Sequence, residues 1–338
     1  MRSAQRPVRL AVVGTGAIAQ VAHLPILTRM RGVEVVALYD NDPAKARTIG
    51  ERFGVGRVHR SAEDLWRDPE VEGVIIATPS HLHEEQVRAG LEAGKFVLSE
   101  KPLALTADGA RRILETDGAD SRLMVGMNQR FRPDAAALRS FVATGELGEV
   151  FYLRAGWLNR RVNRGRRTWR QRKEGAGGGA LMDLGVQMLD LSLWLLDYPE
   201  PERLTTILHR AGSGDVEHSA VVLIALAGNR ALNLEVTWAL ASERERQYVH
   251  ALGSTGSGSL SPLKVFRDLD GSLIDVTPPV PQGRENQFMA SYRQQLAYFA
   301  DAVRGQVELE TPTEQIALLR ILAAAYQSAE RREEVRLG

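Results

Sequence analysis

Cysteine is absent from the 338-residue chain. That absence excludes disulfide scaffolds, thiolate zinc sites and cysteine nucleophiles together, and it fits a reducing compartment. No apolar run approaches the roughly 18 residues that a membrane helix needs. Neither charge sign is in excess: 43 Lys and Arg stand against 42 Asp and Glu, a net charge of +1. A protein that reads nucleic acid through a basic face carries a larger surplus, so neither nucleic acid nor membrane is an expected partner. Internal repeats and low-complexity tracts are missing too. What remains is ordinary globular composition, 44% hydrophobic and 25% charged, which excludes disorder as the main state. The length suggests about two domains. Arg2, Arg6 and Arg9 precede Leu10-Ala11-Val12-Val13 in the outline of a signal peptide. The apolar stretch breaks at Gly14-Thr15-Gly16, however, so a first β-strand entering a turn is the better reading, and the chain is expected to be cytoplasmic.

The first 126 residues alternate short apolar runs with helical segments. Val8–Val13, Val33–Tyr39, Val71–Ala77, Phe96–Ser99 and Leu123–Gly126 lack polar alternation, as strands buried on both faces do. Helical patterns over 17–30, 43–53, 61–67, 82–93 and 106–116 lie between them. This rhythm predicts βαβ units and a doubly wound parallel sheet. After residue 126 strand-like runs follow one another across short turns, at 150–158, 203–209, 216–226, 231–238, 246–252, 264–268 and 272–276. They predict an antiparallel or mixed sheet. Gly253–Gly258 reads as a turn, and a long helical segment covers 180–196. Helices over 286–304 and 313–332 close the chain. The expected division is a dinucleotide-binding domain, 1–126, and a substrate-binding and oligomerisation α/β domain, 127–338.

Gly14-Thr15-Gly16-Ala17-Ile18-Ala19 follows the first strand, opens the first helix and fits G-x-G-x-x-G/A. Gly14 permits the tight turn, and Gly16 lets backbone approach a pyrophosphate. Ala17 and Ile18 offer N–H groups at the helix start, and Ala19 allows close packing on the sheet. Asp40 ends the second strand, where a carboxylate accepts hydrogen bonds from ribose hydroxyls. A carboxylate there repels a 2′-phosphate, and Asn41 and Asp42 follow rather than an arginine. NAD is therefore expected over NADP.

Thr78-Pro79-Ser80-His81-Leu82-His83 follows one strand and Glu100-Lys101-Pro102 the next. With the glycine fingerprint, Asn128–Phe131, Gly177–Gly185 and the tail around Tyr326–Val335, the chain resembles the Gfo/Idh/MocA oxidoreductases along nearly its whole length. The resemblance implies a Rossmann domain and a second domain with an open, mostly antiparallel sheet. It implies hydride exchange between a nicotinamide cofactor and a secondary hydroxyl of a sugar, sugar acid or cyclitol. It also implies a homodimer or homotetramer joined through the second sheet. Thr78, Pro79, His83, Glu100 and Lys101 are then expected to line the cofactor.

Oxidising a carbinol requires a group to handle the hydroxyl proton. Lys101 stands at the C-terminal edge of the parallel sheet, where such folds bind ligands, and Pro102 biases its backbone away from helical dihedrals. It is the leading candidate. Asp183, Gln187 and Asp190 are spaced i, i+4, i+7, which places them on one face of the 180–196 helix. The glycines at 177–179 let backbone come close to something before that helix begins. The family resemblance places an Asp and a His on this helix against substrate, but Gln187 stands at the His position. An amide orients hydroxyls and does not titrate near neutral pH. Lys101 is left to carry the proton, or His81, His83 or a Tyr replaces the missing imidazole. Failing both, the protein is a nicotinamide-binding sensor or regulator with little turnover. Redox-neutral chemistry on held NAD is a third reading. Arg130 is expected to face the cleft. Residues 160–173 carry Arg160, Arg161, Arg164, Arg166, Arg167, Arg170, Arg172 and Lys173 with no acid. They surround Trp169; Trp169 and Arg170 are expected against substrate, with an arginine recognising a carboxylate or phosphate.

Overall fold

The computed structural model describes residues 6–160, 168–210, 214–279 and 286–337. Five apolar runs form one parallel sheet: β1 (Val8–Val13), β2 (Val33–Tyr39), β3 (Gly73–Ile76), β4 (Phe96–Glu100) and β5 (Leu123–Gly126), in the order β2-β1-β3-β4-β5. Every residue of β3 and β5 is buried, which is why their sequences do not alternate. Local signals start the helices between them. Asp42 accepts from the N–H groups of Ala44 and Lys45, with Pro43 in the first helical position, and Ser61 accepts from Asp64 N–H. The first helical segment departs from a plain α-helix over 17–30. Its backbone is a π-helix over Ala19–His23 and an α-helix over Leu24–Leu27. Pro25 has no N–H to return to the preceding turn, and the ladder widens just ahead of it.

The first compact unit comprises Met1–Asn128 and Glu285–Gln315. A single boundary after residue 126 therefore misplaces the helix Gln287–Val303. Its apolar face, with Leu296, Phe299 and Ala300 fully buried, packs in the first unit, and its Tyr292 ring meets His23 edge-on at 5.5 Å between centroids. The apolar periodicity predicts that such a face is covered but does not say by which sheet.

The second unit, Gln129–Arg284 with Ile316–Gly338, holds a nine-stranded sheet. Its strands are β6 (Val150–Leu158), β7 (Pro201–His209), β8 (Ser219–Leu226), β9 (Arg230–Thr237), β10 (Arg246–Gly253), β11 (Gly256–Leu260), β12 (Lys264–Leu269), β13 (Ser272–Asp275) and β14 (Val335–Arg336). The order is β13-β12-β11-β10-β6-β9-β8-β7-β14, and β6–β9 is its parallel pair. β11 occupies the stretch read as a turn. Its glycines answer close packing instead: a Cβ at Gly258 would collide with Leu138 of the helix Pro133–Ala143, and one at Gly256 would lie 2.6 Å from the Phe266 carbonyl oxygen. In β8, Ala220, Val222, Ile224 and Leu226 are buried while Val221 and Leu223 are exposed. One face of this sheet thus meets the core and the other is open. Among the described residues no helix is long and apolar enough to cross a membrane, and no group of three or more His, Asp or Glu side chains is placed to hold a metal ion.

Candidate functional site

Gly14, Asp40, Thr78 and Lys101 follow the C-terminal ends of β1, β2, β3 and β4. Because β2 and β3 lie on opposite sides of β1, the winding reverses there, and open α/β sheets take ligands at such points. Gly14 has φ of +92°, and a Cβ on it would lie 2.8 Å from Thr78 Cγ2 and 2.9 Å from the Ala77 carbonyl. Dihedral and space both demand glycine. Gly16 differs: the nearest atom to a Cβ built there is the Ala77 oxygen, at 3.9 Å. Nothing in the chain itself requires glycine at 16, and the open space is what a pyrophosphate lying on backbone would use. Ala17 is exposed, Ile18 half-buried and Ala19 fully buried beneath them. These features fit a dinucleotide.

Asp40 accepts from the Thr15 N–H and hydroxyl at 2.7 and 2.8 Å, from Asp42 N–H at 3.0 Å and from Lys45 Nζ at 2.8 Å. Burial opposes its charge, but Lys45 and the donors of Asp42 and Thr15 outweigh it, and its pKa falls below the ordinary carboxylate value. Lys45, one helical turn into the next element, is a neighbour that the strand-end reading of Asp40 did not supply.

His83 is buried between two carbonyls, with Nδ1 2.7 Å from Pro102 O and Nε2 3.0 Å from Thr78 O. Its ring ties the loop after β3 to the turn after β4. Burial lowers its pKa against the pull of those carbonyls, which suits a structural brace. His81 is exposed. The Lys101–Pro102 peptide is cis, and Lys101 is half-buried. Glu100 was expected against the cofactor, but its buried carboxylate turns to His23, whose Nε2 lies 2.9 Å from Oε1. Burial raises the Glu100 pKa, yet His23 first, then Lys101 and His83, outweigh it and bring it below the usual value. His23 has no motif of its own in the sequence.

In the second unit the glycines before the long helix meet this chain's own side chains. A Cβ at Gly178 would collide with the Tyr326 hydroxyl, and one at Gly179 with the Glu217 carbonyl. The buried Glu217 carboxylate accepts from the N–H groups of Gly179 and Leu181 at 2.9 Å and from the Tyr326 hydroxyl at 3.0 Å. A negative charge at a helix start is favourable. Burial, with the Glu217 charge beside it, raises the Tyr326 pKa well above its ordinary value. The close approach for which the glycines exist is therefore to Glu217 and Tyr326.

That helix opens as a π-helix over Leu181–Gly185 and continues as an α-helix over Val186–Leu195. The wider first turn breaks the i, i+4, i+7 register, so the three polar residues have unlike surroundings. Gln187, 6% exposed, donates from Nε2 to the Asp183 carbonyl at 3.4 Å. Asp183 Oδ1 lies 3.9 Å from Arg170 Nε, and the Arg170 guanidinium stacks 4.4 Å from the centre of the Trp169 ring. A Thr168–Gln171 capping box holds this turn. Asp190 is fully buried: Arg130 binds both its oxygens, at 2.8 Å from Nε, and Tyr198 donates to it at 2.6 Å. Arg130 also lies over the Tyr198 ring. The structure thus gathers Asp183, Gln187, Trp169 and Arg170, whereas Arg130 is engaged in a buried ion pair with Asp190. Arg161, Arg164, Arg166 and Arg167 lie outside the described residues.

Known proteins share this fold. Residues 8–127 match the family described as an oxidoreductase family with an NAD-binding Rossmann fold, and residues 135–259 match the GFO/IDH/MocA C-terminal domain. Inositol 2-dehydrogenase of Acidothermus cellulolyticus is 30% identical over 308 residues, 89% of this chain and 86% of that one. D-glucoside 3-dehydrogenase of Escherichia coli is 28% identical over 349 residues, 98% of each chain. The crystal structure of GenD2 from gentamicin A biosynthesis, in complex with NAD, is 27% identical with a TM-score of 0.85, covering 99% of this chain and 98% of that one.

Proposed function

The chain belongs to the GFO/IDH/MocA family of NAD-binding oxidoreductases, and from that premise we propose that it exchanges a hydride with a secondary hydroxyl or ketone of a sugar, sugar acid or cyclitol. The observation that carries this reading is the row of Gly14, Asp40, Thr78 and Lys101 along one edge of a parallel sheet. Similarity to inositol and glucoside dehydrogenases supports the substrate class. Bound NAD supplies the hydride acceptor. Gly14 allows the tight turn, Gly16 leaves room at the backbone, and ionised Asp40 accepts from ribose hydroxyls. Lys45, which would otherwise suit a 2′-phosphate, is held on Asp40, so NAD is preferred over NADP. Lys101 donates to the reacting oxygen, stabilises developing alkoxide charge and transfers the hydroxyl proton. In the second unit Asp183 and Gln187 orient substrate hydroxyls, and Arg170 beside Trp169 answers an acidic substituent. The protein works in the cytoplasm, and copies associate through the open face of the second sheet.

Gln187 favours a second reading, a nicotinamide-binding regulator, because it cannot serve as a general base. Turnover decides between them. NAD is mixed with a panel of polyols, neutral sugars and sugar acids, absorbance is followed at 340 nm, and Lys101→Ala is run in parallel. The proposal expects net NADH, reduced about 10²- to 10⁴-fold in Lys101→Ala with NADH binding retained. NADH binding with no turnover across the panel would establish the regulator instead. Product without net NADH points to redox-neutral chemistry. NADPH binding as tightly as NADH would overturn the role given to Asp40.

A further inference from the structure

We propose that Thr15 is a positioning residue for the adenosine ribose of the cofactor, acting through the carboxylate of Asp40. The proposal rests on the reading of the glycine turn and Asp40 as a dinucleotide site. Packing does not explain a hydroxyl at position 15. The side chain is fully buried, as are Val12 and Val13 just before it, and valine would fill the same space without a polar atom to satisfy. The middle position of a G-x-G turn makes no demand for threonine either. What the hydroxyl adds is its 2.8 Å bond to Asp40 Oδ2, beside the 2.7 Å bond from the Thr15 N–H to the same oxygen.

These bonds divide the work of the two carboxylate oxygens. Oδ2 accepts from the Thr15 N–H, the Thr15 hydroxyl and Lys45 Nζ, whereas among the described residues Oδ1 accepts from Asp42 N–H alone. A carboxylate oxygen has about two lone-pair sites, so Oδ1 is the oxygen with capacity for a ribose hydroxyl. Of the donors on Oδ2, Lys45 is a long side chain at 39% exposure. Thr15 is held by the backbone instead. Gln20 Nε2 donates to its carbonyl at 2.9 Å, and the Gly14 N–H donates at 2.7 Å to the carbonyl of Tyr39, the residue before Asp40. Thr15 is therefore the rigid anchor of the carboxylate. Through it, the turn that receives the pyrophosphate and the oxygen that receives the ribose keep a fixed spacing. Remove the hydroxyl, and Asp40 keeps its charge while its rotation passes to the control of Lys45.

Fluorescence titrations on the full-length protein test this without turnover. Asp40 attracts the ribose of NADH and repels the 2′-phosphate of NADPH, so a carboxylate turned out of place weakens the first and not the second. Thr15→Val should weaken NADH about tenfold, as loss of a hydrogen bond to a charged group does, and change NADPH by less than about twofold. Thr15→Ser keeps the donor and should bind NADH within about twofold of wild type. In Asp40→Ala there is no carboxylate left to position, so adding Thr15→Val should weaken NADH no further. Equal losses for NADH and NADPH would show a loosened turn and overturn the proposal, as would losses that multiply in the double variant. Unchanged NADH binding in Thr15→Val overturns it and leaves the nucleotide site standing. A wild type that binds no NADH rejects the site and this role together. Thr15→Ala also lacks the hydroxyl and decides the matter should Thr15→Val not fold.

Discussion

Gly14 and Gly16 sit two residues apart and do different things. Gly14 is fixed by the chain itself, through a left-handed dihedral and a neighbour at 2.8 Å, whereas Gly16 has nothing closer than 3.9 Å. Gly14→Ala should therefore lower the unfolding temperature measurably and weaken NADH binding with it. Gly16→Ala should leave the unfolding temperature within about 1 °C, as an uncrowded substitution does, yet weaken NADH at least tenfold by fluorescence titration. Equal effects of the two variants on stability would contradict this division. At this scale the sequence was legible wherever a residue's meaning is local. Asp40 and Lys101 could be placed because each follows a strand end. Lys45 on Asp40, His23 on Glu100 and Glu217 on Gly179 could not, because no motif marks these pairings, and two of them join positions far apart in the chain.

Elements were legible where periodicity carried them, and their departures have physical causes. The spacing of Asp183, Gln187 and Asp190 assumed an α-helix, and the π turn over Leu181–Gly185 separated their roles. The glycines at 177–179 announced a close approach but not its partner. Glu217, contributed from just before β8, caps that helix and takes the Tyr326 hydroxyl. Glu217→Ala strands buried N–H donors, a loss of about 3 kcal/mol, and should lower the unfolding temperature by about 5 °C or more. Tyr326→Phe removes one hydroxyl and should cost about 1 kcal/mol. Differential scanning calorimetry distinguishes the two. An unfolding temperature unchanged in Glu217→Ala would show that the cap contributes nothing. β11 is the opposite case: glycines that read as a turn belong to a strand, because a helix and a neighbouring strand press against its backbone.

For the molecule as a whole, the fold class followed from the order of runs. The division of the chain did not, since an apolar helix face does not name its sheet. The open face of the second sheet carries Ile207 at 72% and Leu223 at 54% exposure, and apolar area of this kind is characteristic of association surfaces. Ile207→Glu combined with Leu223→Glu should convert the oligomer to monomer by light scattering while the unfolding temperature of the monomer is retained. A wild type already monomeric at tens of micromolar would remove the proposed assembly.

The first unit is completed by residues 285–315, and this has a consequence for synthesis. During translation, the nucleotide-binding sheet emerges long before the helix that covers His23. It must wait, with that side uncovered, until the polypeptide beyond Val303 has left the ribosome. A gene fragment ending near residue 126 would encode a sheet permanently lacking this cover. The nascent protein depends on its far end before its near end is finished.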